Sequence, residues 1–275
     1  MNQKMHFISG LPRSGSTLTA ALLKQNPSIH AAMSTPVSGL VDGIISQVSA
    51  GSEFGPMVSQ KQRRKLLTGI FDSFYGDYEE EVIFDTSRSW TAKLPLALEL
   101  FPDAKFLCLV RDVSWIVDSM ERQYRNNPFE NTRVFSNPQQ RATVYSRTEA
   151  MTDPNGLVGY AWNALREACY SEHAERLMLV DYDLLVARPK EVMKLIYEFF
   201  ELPSFEHNFS DVEYDAPEFD SQLGMDGLHR VHKEVAPRTR ETILPPDVFG
   251  KYNNMAFWRT LKHSKAHCVV PEKGT

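Results

Sequence analysis

No stretch of this chain constrains its fold more than Gly10-Leu-Pro-Arg-Ser-Gly-Ser-Thr17 and its flanks. Met5 to Ser9 is a short apolar run suited to a buried strand. Thr17 to Gln25 sets Leu18, Ala20, Ala21 and Leu22 on a helical face, and Asn26-Pro27 stops it. Strand, glycine-flanked turn and helix together aim backbone N–H groups and the helix dipole at one anion. Gly10 and Gly15 allow the turn and a close approach of the backbone. The spacing is that of G-x-x-x-x-G-K-[ST], the phosphate-binding loop, but Ser16 stands where the lysine belongs. The cation of this loop is Arg13, three residues earlier. Such a loop is expected to cradle an anion, and is poorly equipped for a nucleoside triphosphate with its metal.

Beyond the loop, strand-like and helix-like segments alternate. That pattern predicts an α/β fold of the P-loop type, three layers with a mainly parallel central sheet between helices. Further strands are predicted at Ile29–Met33, Glu81–Phe84, Ala104–Val110 and Arg176–Val180. Helices are predicted at Val37–Ser49, Gln60–Tyr75, Lys93–Phe101, Val113–Tyr124, Leu157–His173 and Pro189–Phe200. Between Arg125 and Gly156 the chain turns polar and loses apolar periodicity, which predicts a lid-like insertion. Leu202–Asp226 reads as an acidic loop, and His263, His267 and Cys268 as a polar tail. The 275 residues are expected to form one domain.

A net charge of −5 argues against a general nucleic-acid binder. Three widely spaced cysteines (Cys108, Cys169, Cys268) fit a reducing compartment rather than a disulfide framework. Neither a signal pattern nor a membrane-length apolar run is seen, so a cytoplasmic protein with no membrane partner is expected.

The second informative feature is Val110-Arg111-Asp112 at the end of the most apolar strand, with Ser119 eight residues beyond Arg111. Ligands of open α/β sheets bind outside the carboxyl ends of the strands. Arg111 can grip a phosphate bidentately there, and Ser119 lies about two turns into the following helix. Taken alone, this pattern also fits an ordinary Arg–Asp pair at a strand end.

Together the two motifs resemble the nucleotide-binding signatures of sulfotransferases that use 3′-phosphoadenosine 5′-phosphosulfate. Pro12-Arg-Ser-Gly-Ser-Thr17 matches the loop that holds the 5′-phosphosulfate, and Arg111 with Ser119 matches the 3′-phosphate signature. The arginine form of the loop looks like the tyrosylprotein and carbohydrate branch and its bacterial relatives. Leu179-Val-Asp-Tyr182 resembles the strand whose tyrosine approaches the nucleotide. Gly227 to Lys233 resembles the basic loop that closes over the cofactor. The resemblance implies Arg13, Ser14, Gly15, Ser16, Thr17, Arg111, Ser119, Tyr182 and Arg230 as donor-binding residues. It implies sulfuryl transfer to a hydroxyl or amine, adenosine 3′,5′-bisphosphate as product, and no metal requirement. The acceptor is a small molecule, a peptide or a carbohydrate. A P-loop kinase and an inactive nucleotide-binding module are the alternatives.

The chain departs from the pattern on the acceptor side. Ungapped alignment puts Ser34-Thr35 where the tyrosylprotein branch has its basic glutamate. Asp85-Thr86-Ser87-Arg88 stands where small-molecule enzymes have Lys-Thr-His. A hydroxyl acceptor usually needs a general base. Asp85 is the first candidate, His30 the second and His229 the third, and an amine acceptor would need none. Arg88 is expected to replace the missing lysine, or else to pair with Asp85. Trp90 packs either on a ligand or in the core. Arg230, Lys233, Arg238 and Arg240 form a basic cluster, for which a solvated face is the default.

Overall fold

A computed structural model describes residues 3–127, 129, 132 and 134–271. Strand β1 (Lys4–Gly10) runs through the glycine-flanked loop into α1 (Ser16–Leu23) and then β2 (Ile29–Ala31). Helices α2 (Val37–Val48) and α3 (Gln60–Tyr75) precede β3 (Val82–Thr86). Helix α4 (Leu94–Leu100), β4 (Phe106–Val110) and α5 (Val113–Asn126) follow. Then come α6 (Pro138–Arg141), α7 (Val144–Thr152), α8 (Leu157–Cys169) and β5 (Leu177–Asp181). The remainder holds α9 (Tyr182–Ala187), α10 (Pro189–Phe199), α11 (Pro217–Gln222), α12 (Pro246–Tyr252) and β6 (His267–Val269).

The six strands form one sheet in the order β2-β3-β1-β4-β5-β6, and every pairing is parallel. The expected α/β architecture is therefore present. β4 and β5 are buried at every position, as strands covered by helices on both faces must be. Alternation along β1 sends Phe7 into one core, with Phe71, Trp90 and Phe106, and Ile8 into the other, with Leu22, Phe84 and Leu107. From β1 the chain passes to the β2–β3 side of the sheet, and only later crosses to β4. The crevice between the carboxyl ends of β1 and β4 is thus the switch point where such sheets bind ligands.

Residues 125–156 differ from the expected polar lid. Two helices form there, and α7 opens with a capping box between Thr143 and Ser146. The segment is anchored on α5: Arg147 donates from Nε to Oε2 of the buried Glu121 at 2.8 Å and from Nη2 to Oε1 at 2.7 Å. Phe135 and Met151 are buried beside it. A few widely spaced anchors suffice to dock a segment and leave no periodicity to read. The 202–226 loop contains α11, and the polar tail supplies β6 as the sixth strand beside β5. Among the described residues no helix is long and apolar enough to cross a membrane.

Candidate functional site

Backbone geometry builds the loop after β1. Gly10 has φ +104°, and a Cβ there would lie 2.2 Å from the Leu109 carbonyl oxygen of β4. Gly15, at φ +98°, caps α1. Arg13 is left-handed as well, with φ 57°, a conformation that costs a non-glycine residue and marks a held position. The Ser14 hydroxyl donates to the carbonyls of Leu11 and Leu109, the latter at 2.8 Å. It holds the loop to β4 and does not face the cavity. Ser16 and Thr17, by contrast, line the cavity at the first turn of α1.

That cavity is about 710 Å³ and opens at the switch-point crevice. Both signatures meet in it. Arg13 Nε donates to Ser119 Oγ at 3.2 Å, and Arg13 Nη1 donates to the Leu228 carbonyl. Arg111 lies with Cζ 4.2 Å from the centre of the Tyr182 ring, and its Nη2 is 3.8 Å from Asp183. The same ring packs on the loop: a Cβ at Gly15 would approach Tyr182 Cδ2 to 2.7 Å. The signature residues Arg13, Gly15, Ser16, Thr17, Arg111, Ser119 and Tyr182 thus converge, while Ser14 is a support. Arg230 and Arg238 are exposed at the rim, and Lys233 turns away to Asp211 and Glu213, at 3.5 and 3.3 Å.

Arg240 is the cation that the sequence reading assigned to a solvated face. Its guanidinium stacks on Trp115, 5.0 Å from the ring centre, donates to the Trp115 carbonyl at 3.2 Å and lines the cavity. Burial, then the Arg111 charge, lowers the Arg13 pKa to about 10. Burial and Arg111 likewise lower that of Arg240. Among the described residues the buried Nε atoms of Arg111 and Arg240 have no hydrogen-bond partner. The three guanidiniums crowd one another, and the carboxylates near them stand off, Asp118 at 3.5 Å from Arg240 and Asp183 at 3.8 Å from Arg111, so the cluster suits an added anion. Arg259 supports this side from behind, reaching Asp112 at 3.0 Å and Asp181 at 3.2 Å. Those carboxylates adjoin Arg111 and Tyr182 in the chain.

On the acceptor side, the structure removes two of the three candidate bases. Asp85 is fully buried and saturated by donors: Thr35 Oγ1 at 2.6 Å, Tyr75 OH at 2.5 Å and Trp90 Nε1 at 2.6 Å. It ties β3 to α3 and does not line the cavity, so Trp90 is a core residue. His30 sits on the edge strand β2, packed at a tilt against Tyr78 with ring centres 4.0 Å apart, and is also outside the cavity. Arg88 does line the cavity, and among the described residues its guanidinium has no carboxylate partner. The Arg88–Asp85 pair therefore does not form. His229 lines the cavity too, and its Nδ1 is 2.5 Å from Oδ1 of the buried Asp220. Sequence reading missed Asp220 because the only signal was an acidic loop.

Comparison with known proteins follows the same lines. The model of the Sulfotransferase family matches residues 6–207. The chain is 27% identical over 208 residues to the protein-tyrosine sulfotransferase of Drosophila melanogaster, covering 72% of this chain and 38% of that one. It is 26% identical over 211 residues to protein-tyrosine sulfotransferase 1 of Danio rerio, covering 72% and 53%. This chain therefore spans about half the length of these curated relatives, or less. Among solved structures, the sulfotransferase domain from the Synechococcus PCC 7002 olefin synthase superposes with a TM-score of 0.54 at 19% identity, covering 93% of this chain and 95% of that one. The sulfotransferase domain from the curacin biosynthetic pathway gives 0.50 at 16% identity, covering 93% and 92%. These two likenesses are likenesses of fold.

Proposed function

Since this chain belongs to the sulfotransferase family, we propose that it transfers the sulfuryl group of 3′-phosphoadenosine 5′-phosphosulfate to an acceptor hydroxyl or amine. The observation that carries this reading is the meeting of Arg13, Ser119, Arg111 and Arg240 around one cavity with buried guanidinium nitrogens unspent. Their number suits a nucleotide with phosphate groups at two positions. Ser16 in the lysine position suits a 5′ end without a triphosphate.

In the reaction, the acceptor attacks sulfur and the bond to the 5′-phosphate oxygen breaks, leaving adenosine 3′,5′-bisphosphate. Negative charge gathers on the leaving oxygen. Fixed donors aimed at that charge lower the barrier because they need no reorganisation. We assign this task to Arg13, the N–H groups of Gly15 to Thr17 and the dipole of α1, an assignment supported by their meeting at the cavity. Arg111, Ser119 and Arg240 are assigned to the 3′-phosphate, with Tyr182 holding Arg111 and facing the nucleotide. Arg230 covers it from the rim. Arg88 is assigned to the sulfuryl oxygens.

The chain is read as one sulfotransferase domain acting in the cytoplasm. Residues 125–156 contribute Thr132, Val134, Asn155 and Gly156 to the acceptor wall. Peptide, carbohydrate and small-molecule acceptors are all compatible with that wall. Calorimetry with adenosine 3′,5′-bisphosphate against ATP plus Mg²⁺ tests the donor, and labelled donor with an acceptor panel tests the transfer. The bisphosphate is expected to bind preferentially without metal. Preference for ATP, with a metal requirement for turnover, would reject the reading.

A further inference from the structure

Asp220 presents both oxygens to one residue. Its Oδ2 accepts the backbone N–H of His229 at 2.8 Å, and its Oδ1 lies 2.5 Å from the ring Nδ1. A carboxylate only accepts, so Nδ1 carries the proton and the neutral ring keeps a lone pair on Nε2. Among the described residues Nε2 has no hydrogen-bond partner. The imidazole is mostly covered, with 17% of the side chain exposed, and the residue lines the cavity beside Arg13 and Arg88. The contact from Arg13 Nη1 to the Leu228 carbonyl ties the preceding residue to the phosphate-binding loop.

Other proton acceptors of the cavity are placed differently. Glu234 and His232 are exposed at the rim. Asp85 and His30 lie outside. On one side the His229 ring meets Phe219 with centres 5.4 Å apart, and Leu223, Met225 and Met120 give the same cavity apolar lining beside its cations.

We infer that His229, oriented by Asp220, is the general base that takes the proton of an acceptor hydroxyl, and that the acceptor is an alcohol or phenol on an apolar body. This rests on the sulfuryl-transfer reading above. The O–H proton passes to Nε2 as the acceptor oxygen bonds to sulfur. The bridging S–O bond breaks, and its electron pair stays on the 5′-phosphate oxygen. The imidazolium formed returns its proton to water, and Asp220 stabilises it without being protonated. Burial holds the imidazole below its ordinary pKa. Asp220 opposes that shift, and the charges of Arg13 and Arg88 reinforce it, so the ring is in its basic form at neutral pH.

The test uses the full chain, the phosphosulfate donor, and three probe acceptors: 4-nitrophenol, which is substantially ionised at the assay pH, and phenol and benzyl alcohol, which are not. His229→Gln is expected to bind adenosine 3′,5′-bisphosphate like the wild type. It should lose on the order of 10²–10⁴ in kcat with phenol and benzyl alcohol, and much less with the nitrophenolate. Asp220→Asn should show a smaller loss and an altered acid limb of the pH–kcat profile, as expected of a positioning residue. Where the wild type uses none of the probes, release of the bisphosphate with water as acceptor is expected to slow in His229→Gln by the same order, and an unchanged rate would overturn the assignment. Equal losses for ionised and un-ionised acceptors, or wild-type rates in His229→Gln, would overturn the assignment. Failure of the wild type to bind the bisphosphate would instead bring down the donor reading on which it rests.

Discussion

Arg13 Nε donates to Ser119 Oγ at 3.2 Å, although the two residues are 106 apart in the chain. The contact joins the loop after β1 to the helix after β4, and it makes the two anion motifs one site. In the proposed reaction Arg13 is assigned to the leaving group, from a position shared with the second signature. Arg13→Ala is expected to cut turnover by on the order of 10² or more, as loss of one preorganised donor does, with little change in melting temperature. Steady-state kinetics beside thermal melts check this, and normal turnover in a folded variant would reject the role.

Arg111 and Arg240 are expected to act through affinity. Replacing either with alanine should weaken adenosine 3′,5′-bisphosphate binding about 10- to 100-fold, the loss of a charge-assisted contact. Arg238→Ala, at the exposed rim, should change it little. Titration calorimetry on the three variants separates them, and equal effects would mean that the cavity cations act only as a diffuse field.

Asp85 is expected to matter for stability. Asp85→Ala removes the acceptor that the Thr35, Tyr75 and Trp90 donors share inside the core, and the Trp90 N–H can only donate. A cost of about 1–3 kcal/mol follows for an unsatisfied buried group. Denaturant unfolding should show that loss while the folded fraction keeps its turnover within a few-fold. Lost turnover at unchanged stability would return Asp85 to the chemistry.

Arg259→Ala should loosen the nucleotide side from behind. Burial raises the pKa of both Asp112 and Asp181, and Arg259 opposes the rise. Without it two carboxylates crowd the base of Arg111 and Tyr182. The expected outcome is a lower melting temperature together with a several-fold weaker bisphosphate affinity. Unchanged affinity would confine Arg259 to packing.

Stability should fall as pH drops from about 6.5 to 4. Burial, then the charge of Lys105, lowers the His6 pKa from 6.5 to about 4. The unfolded chain therefore binds a proton in that window that the folded chain does not. Stability is fully present above the unfolded value and is lost as pH falls towards the folded one. At 1.36 kcal/mol per pKa unit, this group alone accounts for about 3 kcal/mol. His6→Asn offers an acceptor to the Lys105 N–H that now reaches Nδ1 at 3.2 Å. Unfolding free energies across pH 4–6.5 should be flatter in that variant, and parallel curves would count against His6.

The sequence alone was enough for the parts of this protein made of contiguous residues. Strand, turn and helix around Gly10 to Thr17 are local events, and so are the apolar run of β4 and the start of α10 at Pro189. Both anion motifs were legible for that reason, because backbone conformation and residue spacing carry them. The sequence ranked Asp85 ahead of His229, without the contacts that tell them apart. Both are acid–base residues near the end of an element or in a loop, and what separates them is which neighbours the fold brings. Asp85 meets Thr35, Tyr75 and Trp90, and is consumed by them. His229 meets Asp220, nine positions back, and keeps one nitrogen free. Arg240 and the 125–156 anchors were hidden in the same way, since a cation or a lone Phe135 shows no periodicity. Local chemistry thus determined that a loop suited to an anion follows β1, and tertiary packing decided which side chains surround it, because burial and partner choice are properties of contacts distant in sequence.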